Sequence, residues 1–205
     1  MKRIITIGRE FGSGGRELGR RLSEKLSIAY YDQEIITEIA KRTSMSEEYV
    51  RQIAESHPSM SFPIHVGISF CQMPNTMLEQ RVSIYTEQHK LLQELSEKSD
   101  CIIVGRCADY ILRDSQPFRI FIYADTASKL SRCMERQPKN ENLTEAQIKK
   151  RMAEIDHSRS KYYEFFSEQK WGAKKNYDLL VNTSGTDLRK LSDALYEYLK
   201  IIYTK

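Results

Sequence analysis

The feature that most constrains the fold is the glycine-rich run at residues 8–15, which separates an apolar segment from an amphipathic one. The segment before it, residues 4–7, has the β-branched composition of a buried strand. After it, leucines recur every four residues from Leu18 to Leu26, as on one face of a helix. The sequence therefore predicts a strand, a glycine loop and a helix in that order.

The glycine loop has the chemistry of a phosphate-binding site. Glycines let backbone N–H groups converge, and the following helix adds the positive end of its dipole at the same point. The P-loop pattern GxxxxGK[ST] fits in part, since Gly12, Ser13 and Gly14 match the turn. Gly15 and Arg16 stand where the lysine and the hydroxyl residue belong. Arg16 can supply the missing cation, because a guanidinium suits phosphate oxygens, but nothing supplies the hydroxyl that holds Mg²⁺.

Other glycine motifs explain this run less well. A dinucleotide-binding fingerprint, GxGxxG, that begins at Gly12 needs a glycine where Glu17 stands. A nucleophile elbow, GxSxG, needs a glycine in place of Phe11. A tight turn without a ligand stays open as an alternative, although four glycines in eight residues are more than a plain turn requires.

Composition and charge narrow the class of protein. With 205 residues, 40% hydrophobic and 29% charged, the chain suits one globular domain with a substantial core. No apolar run approaches the roughly 20 residues of a membrane span, and the first residues do not resemble a signal peptide. The four cysteines form no CxxC pair and the four histidines are dispersed, which indicates reduced thiols in a cytoplasmic protein rather than a zinc site. A net charge of +4 without a basic block favours a small anionic substrate, or no charged partner, over a nucleic acid.

Strand and helix patterns alternate along the rest of the chain. Short strand-like runs end at Tyr31, Val104, Tyr123 and Val181, with helical periodicity between them. This alternation predicts an α/β fold with a parallel sheet covered on both faces. Residues 56–75 contain three prolines and show no period, which predicts a long mobile loop on the substrate side.

Charged residues at particular places in this pattern are candidates for a binding site. Asp32 and Arg106 follow the second and third strands, and ligands of open α/β sheets bind at the carboxyl ends of strands. Asp32 can equally cap the helix that follows it. Arg132, Arg151 and Arg159 lie on two helices expected to flank the glycine loop, where phosphoryl-transfer enzymes bring arginines onto the transferring group.

The motifs in this order resemble those of the cytidylate kinase-like family, relatives of the nucleoside monophosphate kinases. The resemblance covers nearly the whole chain and rests on the glycine loop, Tyr30-Tyr31-Asp32, Val104-Gly105-Arg106 and the run at 177–183. It implies a three-layer P-loop kinase fold with a five-stranded parallel sheet in one domain of 205 residues. It also implies an acceptor-side helical segment over residues 33–98 and a helical lid over residues 132–172.

The resemblance further implies roles for single residues. Gly12–Arg16 match the family's phosphate loop, and Asp32 matches the start of its acceptor site. Arg106 matches an arginine that binds the acceptor phosphate, and Arg42 lies where a second such arginine is expected. The matching acid and arginine of the lid are Asp156 and Arg159.

The expected function is transfer of a phosphoryl group from ATP to a nucleoside monophosphate such as CMP. Arg16 and the loop amides would hold the donor phosphates, and Arg132 and Arg159 would neutralise the transferring group. Mg²⁺ is expected to accompany ATP, but the sequence does not indicate which residues would bind it. A nucleotide-binding sensor without phosphotransfer is the alternative, because the loop lacks its lysine and hydroxyl. Neither a nucleic acid nor a membrane is an expected partner, and the sequence does not specify an oligomeric state.

Overall fold

A sheet of five parallel strands lies at the centre of the protein, in a computed structural model that describes residues 2–55, 76–138 and 143–203. The strands are β1 (Ile4–Arg9), β2 (Ala29–Tyr31), β3 (Cys101–Val104), β4 (Phe118–Tyr123) and β5 (Leu179–Asn182). Their order across the sheet is β2-β3-β1-β4-β5. The predicted parallel sheet is confirmed, and β1, which leads into the glycine loop, is its middle strand.

Helices connect the strands and cover the sheet. In the described residues they are α1 (Gly15–Leu26), α2 (Glu34–Thr43), α3 (Glu47–Glu55), α4 (Thr76–Lys98), α5 (Ala108–Ile111), α6 (Thr126–Glu135), α7 (Glu145–Ser167) and α8 (Leu188–Tyr203). The side chain of Asp125 caps α6 by accepting a hydrogen bond from the N–H of Ser128 at 2.6 Å. Thr144 and Gln147 form a capping box at the start of α7.

Side chains of β1 alternate between two apolar layers. Ile5 and Ile7 are fully buried on the face that α1 and α8 cover, whereas Ile4 packs on the opposite face with α2 to α5 and α7. The three-layer α/β fold is therefore confirmed. Because α1 and α2 each begin just after a strand, both helices start at the carboxyl edge of the sheet, where the strands end.

The last strand differs from its sequence pattern, in which the run 177–181 predicts a strand. β5 instead begins at Leu179, and the side chain of Asp178 takes part in the contact with β4. Its carboxylate accepts the backbone N–H of Arg119 at 2.8 Å, a donor that a neighbouring strand carbonyl would otherwise take. The long loop predicted at 56–75 lies outside the described residues, and the division into acceptor-side and lid segments stays a prediction.

Candidate active site

The glycine loop turns sharply between β1 and α1. Gly12 and Gly14 have φ values of 75° and 83°, in the left-handed region that favours glycine. A Cβ atom on Gly14 would also lie 2.6 Å from Cδ1 of Leu188, so that α8 packs directly on the loop. Gly14 is the N-cap of α1, and it has no side chain that could accept a hydrogen bond from the first N–H groups of the helix. These N–H groups also have no acceptor within the helix. These donors remain available to an anion.

A partly buried carboxylate on α7, that of Asp156, holds the start of the loop. Oδ1 of Asp156 accepts the backbone N–H of Phe11 at 2.6 Å, and Oδ2 lies 3.3 Å from Nζ of Lys129. Lys129 also reaches Oε2 of Glu10 at 3.0 Å. Burial raises the pKa of Asp156 in spite of these partners. α7 is thus joined to the loop directly by a hydrogen bond, and indirectly by ion pairs through Lys129 of α6.

Arg132 supports the other side of the loop. Its Nη1 donates to the hydroxyl of Thr183 at 3.1 Å and approaches the carbonyl of Gly12 at 3.5 Å. The hydroxyl of Thr183, which is fully buried, in turn donates to the carbonyl of Ser13 at 2.7 Å. Arg132 of α6, Thr183 after β5 and the carbonyls of the loop are therefore connected by hydrogen bonds. Arg132 helps to position the loop.

A cavity of about 360 Å³ opens over the glycine loop. Six arginines line it, and Glu10 is the one carboxylate among the described residues that do so. The arginines are Arg9, Arg16, Arg132, Arg136, Arg151 and Arg159. Glu10 is paired with Lys129, and Arg16, Arg136 and Arg159 each lie within 4 Å of a carboxylate outside the lining, so the lining itself carries an excess of positive charge. This arrangement suits a ligand with several negative charges, such as a polyphosphate.

Asp32 lies beside the loop and does not cap a helix. Nε of Arg16 lies 2.5 Å from its Oδ2, and Nη2 of Arg9 lies 3.7 Å from its Oδ1. The N-cap of α2 is Gln33, and no side chain caps that helix, so the capping alternative for Asp32 is wrong. Asp32 is 3% exposed, and its Oδ1 makes no hydrogen bond in the part of the chain that the structure describes. The structure thus brings Asp32 and Arg16 together, as ion-pair partners.

Arg9 is a site residue that the sequence reasoning missed. It is the last residue of β1, and its side chain contacts Gly105 at the end of the neighbouring strand. Burial, followed by the nearby charge of Arg159, lowers the pKa of Arg9 to about 9. The signal that singled out Arg106, a charge at the carboxyl end of a central strand, applies equally to Arg9 and would have found it.

A second, smaller cavity of about 50 Å³ adjoins the first at the ends of β1 and β3. Arg9, Arg106 and Arg159 line it together with aromatic side chains. Arg106 has a left-handed φ of 60°, and its carbonyl accepts a hydrogen bond from Nε2 of Gln88 at 2.9 Å. At the same cavity, burial raises the pKa of Asp109. The structure therefore places Arg106 at the carboxyl end of β3, as the sequence predicts, and in the lining of the smaller cavity.

Arg42 lies apart from these residues. It is in the last turn of α2, roughly 12 Å along the helix from the end that faces the loop. Nη1 and Nη2 donate to both carboxylate oxygens of Glu94 at 2.9 and 2.7 Å, and Nε donates to Glu38 at 3.2 Å. These hydrogen bonds raise the pKa of Arg42. Arg42 lines neither cavity, and the structure does not bring it to the other candidate residues.

The sequence profile of the cytidylate kinase-like family matches residues 4–185. The chain belongs to the cytidylate kinase-like family. The match includes the glycine loop and every residue that lines the two cavities. Membership of this family, with the P-loop kinase fold, supports a phosphotransferase of the kinase type.

Solved structures share the fold. An uncharacterized protein from Eubacterium ventriosum ATCC 27560 has a TM-score of 0.69 at 28% identity, over 97% of this chain and 99% of that one. A shikimate kinase from Bacteroides thetaiotaomicron has a TM-score of 0.58 at 12% identity, over 99% of each chain. A shikimate kinase from Acinetobacter baumannii in complex with shikimate has a TM-score of 0.56 at 15% identity, over 100% of this chain and 96% of that one. The two shikimate kinases show the fold alone. No curated protein matches the chain.

Kinase-like proteins typically use Mg²⁺ with their nucleotide, but the carboxylates of this site do not form a set that fits the ion. Asp32 is paired with Arg16, and both Glu10 and Asp156 are paired with Lys129. Across the described residues, no group of three or more Asp, Glu, His or Cys side chains is arranged to hold a metal. The same part of the chain includes no helix with the length and apolar character that crossing a membrane requires.

Proposed function

We propose that this protein transfers the γ-phosphoryl group of ATP to a small phosphorylated acceptor, a nucleoside monophosphate such as CMP. The observation that carries the proposal is the cavity over the glycine loop, where the N-terminus of α1 meets six arginines. Backbone N–H groups, the helix dipole and guanidinium groups together form a site for a chain of phosphates. The family and the fold support the same class of reaction.

In this proposal the donor phosphates lie on the loop. The N–H groups at the start of α1 and the guanidinium of Arg16 bind phosphate oxygens, and Arg159 faces the transferring group from α7. Arg132 acts mainly by positioning the loop through Gly12 and Thr183. Catalysis then consists of orientation and charge stabilisation, because phosphoryl transfer requires little covalent work from the protein.

The acceptor lies at the carboxyl ends of β2 and β3 in the same proposal. Arg106 binds its phosphate, and Asp32 contacts the part of the acceptor nearest the loop. Arg159 lines both cavities and so faces both sites. Arg42 has no part in acceptor binding, since Glu38 and Glu94 hold its guanidinium. Because the carboxylates of the site are paired, Mg²⁺ would enter with the ATP phosphates rather than be held by the protein.

The test is a phosphotransfer assay with Mg²⁺-ATP against a panel of nucleoside monophosphates and small hydroxy acids. We expect a monophosphate to be phosphorylated, and Arg106→Ala to raise the KM of the acceptor far more than that of ATP. Arg119→Ala is the matched control, because Arg119 is paired with Asp178 away from both cavities. An equal effect of Arg106→Ala on both KM values would contradict the assignment of the acceptor site.

A second candidate function is a nucleotide-binding sensor without transfer. Two observations favour it: the P-loop lysine is replaced by Gly15, and the carboxylates of the site are paired with cations. ATP would then raise the melting temperature of the protein while no acceptor in the panel gave a product.

A further inference from the structure

The side chain of Arg9 runs across the carboxyl edge of the sheet through a channel between two glycines. Its stem passes Gly15, where an added Cβ atom would lie 2.6 Å from Cβ and 3.0 Å from Cγ of Arg9. Its guanidinium lies against Gly105, where an added Cβ atom would lie 1.7 Å from Nη1. Both glycines are therefore required for Arg9 to take this path, since real Cβ atoms do not approach so closely.

One of these glycines stands where a P-loop has its lysine. A lysine at position 15 and the present arginine at position 9 cannot both be accommodated, because their first side-chain atoms would overlap. The next neighbour of a Cβ atom on Gly15 is Cβ of Ile122, at an ordinary 3.5 Å. The side chain at position 9 is thus the obstacle to a side chain at position 15, and loss of the lysine is coupled to the presence of a side chain at position 9, here that of Arg9.

The guanidinium of Arg9 lies at the junction of the two cavities. Arg9 lines both, and its side chain is 11% exposed. Its nearest carboxylate, Asp32, is 3.7 Å away and is shared with Arg16, which is more closely bound to it. Burial and the charge of Arg159 lower the pKa of Arg9, so its positive charge is poorly compensated. A phosphate at this junction would supply the missing negative charge.

We propose that Arg9 has taken over the role of the missing P-loop lysine, so that the cation on the transferring phosphoryl group comes from the end of β1 instead of the start of α1. This inference rests on the proposed function, because it assumes that a polyphosphate binds over the glycine loop. It replaces the expectation that Arg16 alone supplies the cation. Arg16 is 57% exposed and engaged with Asp32, and it binds the phosphates from outside.

The test exchanges the two positions. Arg9→Gly removes the guanidinium, and Arg9→Gly combined with Gly15→Lys restores the P-loop lysine without the overlap, while Arg16 is left in place. Binding of inorganic triphosphate and of ATP is measured by titration calorimetry, with phosphotransfer measured beside it. Arg3→Ala is the matched control, because Arg3 precedes the opposite end of the same strand and is paired with Asp100.

We expect Arg9→Gly to weaken triphosphate binding about 10- to 100-fold, the effect of losing a hydrogen-bonded charge. The double variant should recover at least tenfold of that loss, whereas Gly15→Lys alone should weaken binding because it displaces Arg9. Arg3→Ala should bind within about twofold of the wild type, a difference of about 0.4 kcal/mol. A purely structural role of Arg9 predicts no rescue by the lysine.

Two failures can be told apart. Wild-type protein that binds neither triphosphate nor ATP would overturn the proposed function and this inference with it. Undiminished binding by Arg9→Gly, beside normal binding by the wild type, would overturn the inference alone. If Arg9→Gly does not fold, the double variant carries the test: binding near wild-type strength supports the exchange of cations, and its loss in a folded double variant contradicts it.

Discussion

The hydrogen bond between Asp156 of α7 and the glycine loop permits a prediction of how the free energy of unfolding changes when this residue is substituted. Asp156 is 17% exposed as a side chain, and its Oδ1 accepts the N–H of Phe11 at 2.6 Å. A hydrogen bond to a charged group contributes about 1.5–3 kcal/mol. Burial nevertheless raises the pKa of Asp156, so the cost of burying the charge outweighs the hydrogen bond from Phe11 and the attraction of Lys129 and Arg159. The acceptor oxygen stabilises the fold, whereas the charge on it does not.

Two substitutions separate these effects. Asp156→Ala leaves the N–H of Phe11 without its acceptor and should lower the free energy of unfolding by about 1–3 kcal/mol. For a chain of this size that corresponds to a fall in Tm of about 2–12 °C. Asp156→Asn keeps an acceptor for Phe11 and removes the buried charge, so its unfolding free energy should stay within about 1 kcal/mol of the wild type at pH 7.

The pH dependence provides a second check on the same residue. A carboxyl whose pKa is raised by folding contributes stability that is lost as the pH rises through the folded value. The stability of Asp156→Asn relative to the wild type should therefore increase from pH 4 to pH 8. Below the ordinary pKa of 3.8 the wild-type carboxyl is protonated in both states, and this dependence should disappear.

Urea unfolding of the wild type and both variants between pH 4 and pH 8 measures these differences. Glu154→Ala is the matched control, because Glu154 lies on the same helix with an exposed side chain and a 3.9 Å pair to Lys150. It should change stability by no more than about 0.5 kcal/mol. The reasoning is refuted if Asp156→Asn is as destabilising as Asp156→Ala, or if its relative stability falls as the pH rises.

Three further predictions concern Gly105, Asp109 and Arg42. Gly105→Ala should lower the free energy of unfolding by about 1 kcal/mol, because the φ of Gly105 is +75°. It should also weaken triphosphate binding, measured by titration calorimetry, about tenfold, because the added methyl group displaces the guanidinium of Arg9. Asp109→Asn keeps an acceptor for the hydroxyl of Tyr163, 2.8 Å away, and removes a buried charge. Its free energy of unfolding in urea, relative to the wild type, should rise from pH 4 to pH 8, and a fall would contradict the raised pKa of Asp109. Arg42→Ala should leave the KM of the acceptor within twofold of the wild type in the phosphotransfer assay, and a large rise would restore Arg42 to the acceptor site.

Local sequence patterns were sufficient for the elements of the fold. The β-branched run of β1, the glycines after it and the leucines of α1 each act within a few residues, so their period and composition predicted strand, loop and helix. The capping box of Thr144 and Gln147 is local in the same sense. Alternation of elements then predicted a parallel sheet, and with it the position of Arg106 at the carboxyl edge.

The use of each charged side chain was decided by tertiary structure. Arg42 is committed to Glu94, which is 52 residues away, and Asp156 reaches Phe11 across 145 residues. No periodicity encodes such pairs, because they depend on which elements pack together. The sequence itself determined a glycine loop without the P-loop lysine. The folded chain determined that Arg9 fills the space beside Gly15, because the end of β1 and the start of α1 approach too closely there for two side chains.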